Sequence, residues 1–254
     1  MTRIYLIRHA QSEGNLYRRI LGWYDGHVTS SGRAQITALK NRFLEIPVDA
    51  VYSSDLSRAW ETAQAVALPQ KLDIHPEPAF RELHIGEFTN IPYGDLHYHH
   101  PDLYDALFSF SPLWAPKGGE RFQQVAFFRL AHRHSGQSVA IFSHAMAIHC
   151  LQASLQGKHP SQFPLPSGEN TAVSCYELQD DRVDIRFEND ISHLPNSLTA
   201  RLWNWRRRKR GSSTYPPGRK PGKPSTALSV ALTVPAFCRR PGNSCNGTAM
   251  PFRW

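Results

Sequence analysis

A chain of 254 residues with 41% hydrophobic residues has material for a sizeable core, in one large domain or two small ones. Its formal charge of +8 suggests an anionic partner until it is divided by position. Residues 1–200 hold 17 Lys+Arg against 21 Asp+Glu, whereas residues 201–254 hold 12 Lys+Arg and no acid, so the basic excess describes only the end of the chain.

In chain order, "RIYLIR" (3–8) is a short β-rich run that leads through polar residues into "TSSGRAQITALKNRFLEI". There Ile36, Leu39, Phe43 and Leu44 recur at helical spacing behind Ser30 or Ser31 as a cap. "DAVYSS" supplies a second strand and "LSRAWETAQAVAL" a second helix, with Pro69 placed to stop it. From about Leu72 to Gly119 the chain is polar, aromatic and proline-rich, which reads as a lid-like insertion over the sheet edge. "GERFQQVAFFRLAHRH" predicts a helix, "SVAIFS" a third, fully apolar strand, and "HAMAIHCLQASL" the helix after it. "TAVSCYELQ" and "RVDIRFEN" around Asp180-Asp181 predict a closing hairpin. Strands alternating with helices imply an α/β three-layer sandwich with a mostly parallel central sheet, in a domain spanning residues 1–198. Residues 199–254, with "RRRKR" at 206–210, seven prolines and five glycines, predict a disordered or irregular tail.

Cys150, Cys175, Cys238 and Cys245 contain no C-x-x-C pair and are too few for a disulfide framework, and the apolar run Ile4–Ile7 is far too short for a signal peptide. The expectation is a cytoplasmic protein without a membrane span. Nucleic acid is a candidate partner only through the basic tail. Oligomeric state is not legible.

Each strand-to-helix unit places cationic or imidazole side chains at or just beyond the carboxyl end of its strand: Arg8 and His9, then Arg58, then His144. Ligands of open α/β sheets bind at that edge, where helix N-termini also aim amides at anions. Two guanidinium forks suit a phosphoryl group. A neutral imidazole beside them can attack phosphorus, which divides one displacement into two. Such chemistry needs an acid for the leaving alkoxide, and Glu82 and Glu87 in "FRELHIGEFTN" compete for it on spacing alone. "HYHH", with His97, His99 and His100, lacks a carboxylate or Cys at metal-ligand spacing and reads as lid surface.

"LIRHAQSEGN", "VYSSDLSRAWETA", "RELHIGEF" and "IFSHAMAI", in that order, resemble the four motifs of the histidine phosphatase superfamily in its phosphoglycerate mutase-like branch. The resemblance covers residues 3 to about 195. It implies that His9 is the nucleophile, that Arg8, Arg58, His144 and Asn15 contact the phosphoryl group, that Glu82 is the proton donor, and that neither metal nor other cofactor takes part. Ala10 and Ala145 stand where the family usually has Gly, with Ala145 expected to present its amide to phosphate, and Thr89-Asn90 stands where many relatives have Glu-Gly. The implied activity is hydrolysis of a small phosphorylated metabolite through a phosphohistidine. The alternatives are return of the phosphoryl group to a sugar acid, as in a phosphoglycerate mutase, and a non-catalytic phosphate-binding module. Hydrolysis is favoured because Arg81 and Lys117 are the only Lys or Arg between Leu72 and Gly119, too few to retain a bisphosphate intermediate.

Overall fold

The computed structural model describes residues 1–111, 113–120, 133–162, 168–179 and 182–199, and the backbone of 229–231. Strand β1 (Thr2–Arg8) shows how the sequence becomes layers. Its pleat sends Ile4 and Leu6 into one buried cluster and Tyr5 and Ile7 into the other, so the strand is apolar on both faces and must be covered on both. The strands β3 (Ala50–Ser53) and β6 (Ser138–Ser143) repeat the pattern, the latter with Val139 and Ile141 opposite Ala140 and Phe142.

Helices α2 (Ser30–Phe43) and α3 (Ser57–Gln70) bury Leu39, Phe43, Ala63 and Val66 on one face, and α6 (Ala145–Leu155) buries Ile148, Leu151 and Leu155 on the other. The sheet order is β4-β3-β6-β1-β7-β8-β9, with β4 (Ile74–Pro76), β7 (Val173–Gln179), β8 (Arg182–Asp190) and β9 (Ser229–Ala231). The run from β4 to β1 is parallel and the rest antiparallel, which gives the expected three-layer α/β architecture. The remaining elements, α1 (Glu13–Leu16), β2 (Arg19–Ile20), β5 (Ile91–Pro92), α4 (Tyr93–His99) and α5 (Pro101–Phe108), lie outside this sheet. All of them except α1 contribute to a third cluster around Ile20, Ile85, Phe88, Leu96, Leu107 and the fully buried Trp114.

Several expectations need correction. The cap of α2 is Thr29, whose Oγ1 accepts from the Gly32 amide at 3.0 Å, because the earliest of three adjacent hydroxyl residues meets the free amides first. Leu44, read as part of the apolar face, is an exposed C-cap. Pro69 lies inside the last turn of α3, and Lys71 ends the helix with φ 56° while the Leu72 amide bonds back to the Ala67 carbonyl at 3.0 Å. The insertion starts later than Leu72, since Ile74–Pro76 pairs with β3 as the edge strand, where a terminal proline costs the ladder little. In the tail, Ser229–Ala231 pairs with the edge of β8 instead of being irregular; it lies in "ALSVALTV", the tail's most apolar stretch. The rest of the tail, the turn at 180–181 and the helix expected over 119–134, apart from its ends, lie outside the described residues. Cys150 and Cys175 are buried thiols, pushed up by burial to about 12 and about 11.

Candidate active site

Strand register builds the site. Arg8 of β1 pairs with Ser143 of β6, so the next residues, His9 and His144, leave the sheet at the same level with ring centroids 5.0 Å apart. Both rings are buried, at 3% and 0% exposure. The His9 amide donates to the Ser143 carbonyl at 3.0 Å, which ties the two strand ends together.

The His9 ring has a defined polarity. Its Nδ1 lies 2.7 Å from the Ala10 carbonyl, which can only accept, so Nδ1 carries the proton and Nε2 the lone pair. Burial, then the charges of Arg58 and Arg8, holds the ring well below the usual histidine pKa and keeps it neutral. His144 is held neutral by burial and Arg58; its Nε2 is 2.8 Å from Ser54 Oγ, and its buried Nδ1 has no hydrogen-bond partner among the described residues.

Arg58 is 1% exposed and donates from Nη1 to the Tyr24 carbonyl and from Nη2 to the Gly22 carbonyl, each at 2.8 Å. Burial lowers its pKa to about 10. Two carbonyls orient this guanidinium without cancelling its charge, which leaves it for an anion. The segment that supplies them is fixed by Asp25, whose carboxylate accepts from the Ser57 amide and hydroxyl at 2.7 Å each, at the start of α3. Gly22 has φ +51°, and a Cβ there would come within 2.8 Å of Ile85, so glycine is required. Arg8 donates to the Gly168 carbonyl at 2.8 Å, and its buried Nε has no hydrogen-bond partner among the described residues.

Asn15 is oriented by elimination. Its Oδ1 accepts from the Ser12 amide at 3.0 Å, the Ser12 hydroxyl at 3.1 Å and Asn170 Nδ2 at 3.2 Å, so its own amide nitrogen is the donor end, with no acceptor among the described residues, of a side chain that lines the cavity. Asn170 also donates to the His9 carbonyl at 2.9 Å.

Glu82 lines the same narrow cavity, of about 60 Å³, with Arg8, His9, Arg58 and Ala145. Its carboxylate accepts from the amides of Leu83 and Ala147 at 3.1 Å and of Met146 at 3.2 Å, two of them at the N-terminus of α6. Enclosure raises its pKa above the usual carboxylate value despite those amides and Arg58. Glu87 is exposed and does not line this cavity. The Ala10 amide does not face the cavity as a free donor, because Thr62 Oγ1 accepts it at 2.9 Å, while that hydroxyl donates to the Arg58 carbonyl at 2.6 Å. The histidines of "HYHH" are exposed, with His97 edge-on to Tyr104 and His100 edge-on to Phe88.

The structure thus brings together Arg8, His9, Asn15, Arg58, Glu82, His144 and Ala145. Sequence reasoning missed Arg19 and Tyr93, which line the cavity, and the supporting Asp25, Thr62 and Asn170.

Residues 4–191 match the family model described as histidine phosphatase superfamily (branch 1). The chain belongs to this superfamily. It is 30% identical over 201 residues to phosphoglycerate mutase-like protein 4 of Arabidopsis thaliana, covering 75% of this chain and 86% of that one. It is 31% identical over 212 residues to the metal-independent phosphoserine phosphatase of the same plant, covering 76% and 84%. Among solved structures it resembles Bacillus stearothermophilus YhfR, with 29% identity, a TM-score of 0.72 and coverage of 76% of this chain and 99% of that one. Phosphatases and mutases of this superfamily both occur among its relatives by name. No described helix is long and apolar enough to cross a membrane.

Proposed function

We propose that the chain is a metal-independent phosphomonoesterase that acts on a small phosphorylated metabolite through a phosphohistidine intermediate. The observation that carries this reading is the buried, neutral His9, with Nδ1 tied to a carbonyl, in one cavity with two guanidiniums and a carboxyl group of raised pKa. Arg8, Arg58, Asn15, His144 and the Ala145 amide would hold the phosphoryl oxygens and offset their charge. His9 Nε2 attacks phosphorus in line, the bond from phosphorus to the ester oxygen breaks, and that oxygen leaves with the Glu82 proton. The Ala10 carbonyl steadies the ring as it becomes positive. Glu82, now a carboxylate, takes a proton from water, whose oxygen attacks phosphorus. The nitrogen–phosphorus bond then breaks, and neutral His9 and orthophosphate result. The catalytic unit would be residues 1–198.

Relatives named phosphoserine phosphatase and probable phosphoglycerate mutase keep phosphoryl return to a sugar acid as the second reading. The test is phosphate release by chelator-treated protein from a panel of phosphomonoesters, with 3-phosphoglycerate isomerisation assayed alongside. Release without added metal is expected. Isomerisation without release would establish the mutase instead, and inactivity in both would leave a phosphate-binding module.

A further inference from the structure

We propose that Arg19 recognises a carboxylate on the alcohol half of the substrate, so that the preferred substrates are short phosphorylated acids. The inference rests on the phosphatase reading above and specifies its substrate class.

Arg19 lines the cavity but comes from the β2–β5 pair, not from the strand ends that deliver Arg8 and His9. Its guanidinium is held from one side: Nε donates to Asn90 Oδ1 at 2.7 Å, and Nη2 donates to the Asn90 carbonyl. Both acceptors belong to one neutral residue. Asn90 is itself pinned, with φ 62°, a conformation that asparagine tolerates better than most residues, and with its amide on the Ile20 carbonyl at 2.7 Å. The grip therefore fixes the plane of Arg19 without cancelling its charge. Elsewhere the protein does the opposite: the half-buried Arg81 and the more buried Arg42 each pair with an aspartate.

An arginine held through its Nε/Nη2 edge still offers the fork made by Nη1 and the second Nη2 hydrogen. That fork has no carboxylate partner among the described residues and matches a carboxylate in two parallel hydrogen bonds. One available cation balances one carboxylate better than a second phosphoryl dianion. With the phosphoryl group against Arg8 and Arg58, the small cavity leaves the wall at Arg19 for a short alcohol chain. Thr89-Asn90, the departure from the family pattern noted in the sequence, thus gains a purpose: Asn90 aims Arg19.

The test compares kcat/KM for phosphoserine, phosphoethanolamine and ethane-1,2-diol bisphosphate in wild type, Arg19→Met and Asn90→Asp. Phosphoethanolamine keeps the ammonium and chain of phosphoserine and lacks only the carboxylate. Asn90→Asp keeps the clamp and places a negative charge on it. Wild type should prefer phosphoserine over phosphoethanolamine by about 10- to 100-fold, the range of a charge-assisted hydrogen-bonded pair, and both variants should bring that ratio close to one. A ratio unchanged in both variants, a wild-type ratio already near one, or preference for the bisphosphate would overturn the carboxylate assignment while leaving the phosphatase intact. Failure of wild type to release phosphate from any of the three, with release from other phosphomonoesters of the panel, would overturn this inference alone; failure across the whole panel would overturn the phosphatase reading and this inference with it.

Discussion

Acidification should destabilise this protein through its histidines before its carboxylates are titrated. His9 and His144 are held well below their usual pKa by burial and by neighbouring arginines, and burial beside Arg42 brings His193 down to about 4. In the unfolded chain each titrates near 6.5, so below that value the unfolded state binds protons that the native state refuses. The stabilisation is present above pH 6.5 and is lost as pH falls. For one such histidine the change between pH 7.5 and 5.5 is about 1.4 kcal/mol, and for three it approaches about 4 kcal/mol, less a discount for the partial solvation of His193. That is a large share of the stability of an ordinary domain, roughly 5–15 kcal/mol. Glu82 and Glu188, whose pKa values are raised by burial, take up protons in the native state before they do in the unfolded chain and oppose the trend. Urea unfolding at pH 7.5, 6.5 and 5.5 reads the slope directly, and His193→Asn should remove part of it. A change under about 1 kcal/mol across that range would mean that the native histidines charge freely, and the neutral-nucleophile argument would fail.

Other substitutions follow from the same geometry. Thr62→Val keeps the shape of a fully buried side chain but leaves the Ala10 amide without an acceptor, so equilibrium unfolding should show a loss of about 1–3 kcal/mol. Glu82→Gln should slow alkyl phosphates more than activated aryl phosphates, because only the former need a proton on the leaving oxygen; equal losses would argue against a general acid. Arg58→Met should weaken orthophosphate inhibition at least tenfold and also lower stability, since the carbonyls of Gly22 and Tyr24 lose their donors; undiminished inhibition would remove Arg58 from the site.

The residues delivered by local pattern were legible in the sequence. An apolar strand ending in Arg8-His9, and another ending in Ser143-His144, need only parallel pairing to converge, and the alternation of strands and helices implies that pairing. The missing pieces depend on contacts that no spacing encodes. Arg19 reaches the cavity because a two-residue strand pairs with Ile91–Pro92, some seventy positions away, and Asn170 reaches His9 across 161 positions. Asn90 looked like a departure from a pattern, and its left-handed backbone and its grip on Arg19 exist only in the folded chain. The β9 pairing was hidden for a related reason: three residues at the edge of β8 carry too short a pattern to stand out in a proline-rich tail.

The most direct test of the central claim is rapid acid-free quenching of chelator-treated enzyme during turnover of a phosphomonoester, followed by peptide mass spectrometry. The expected product is an acid-labile, base-stable phosphoryl group on His9 that is absent from His9→Ala, with turnover of that variant below about 1% of wild type. Turnover at the wild-type rate in His9→Ala, or a phosphoryl group trapped on another residue, would contradict it.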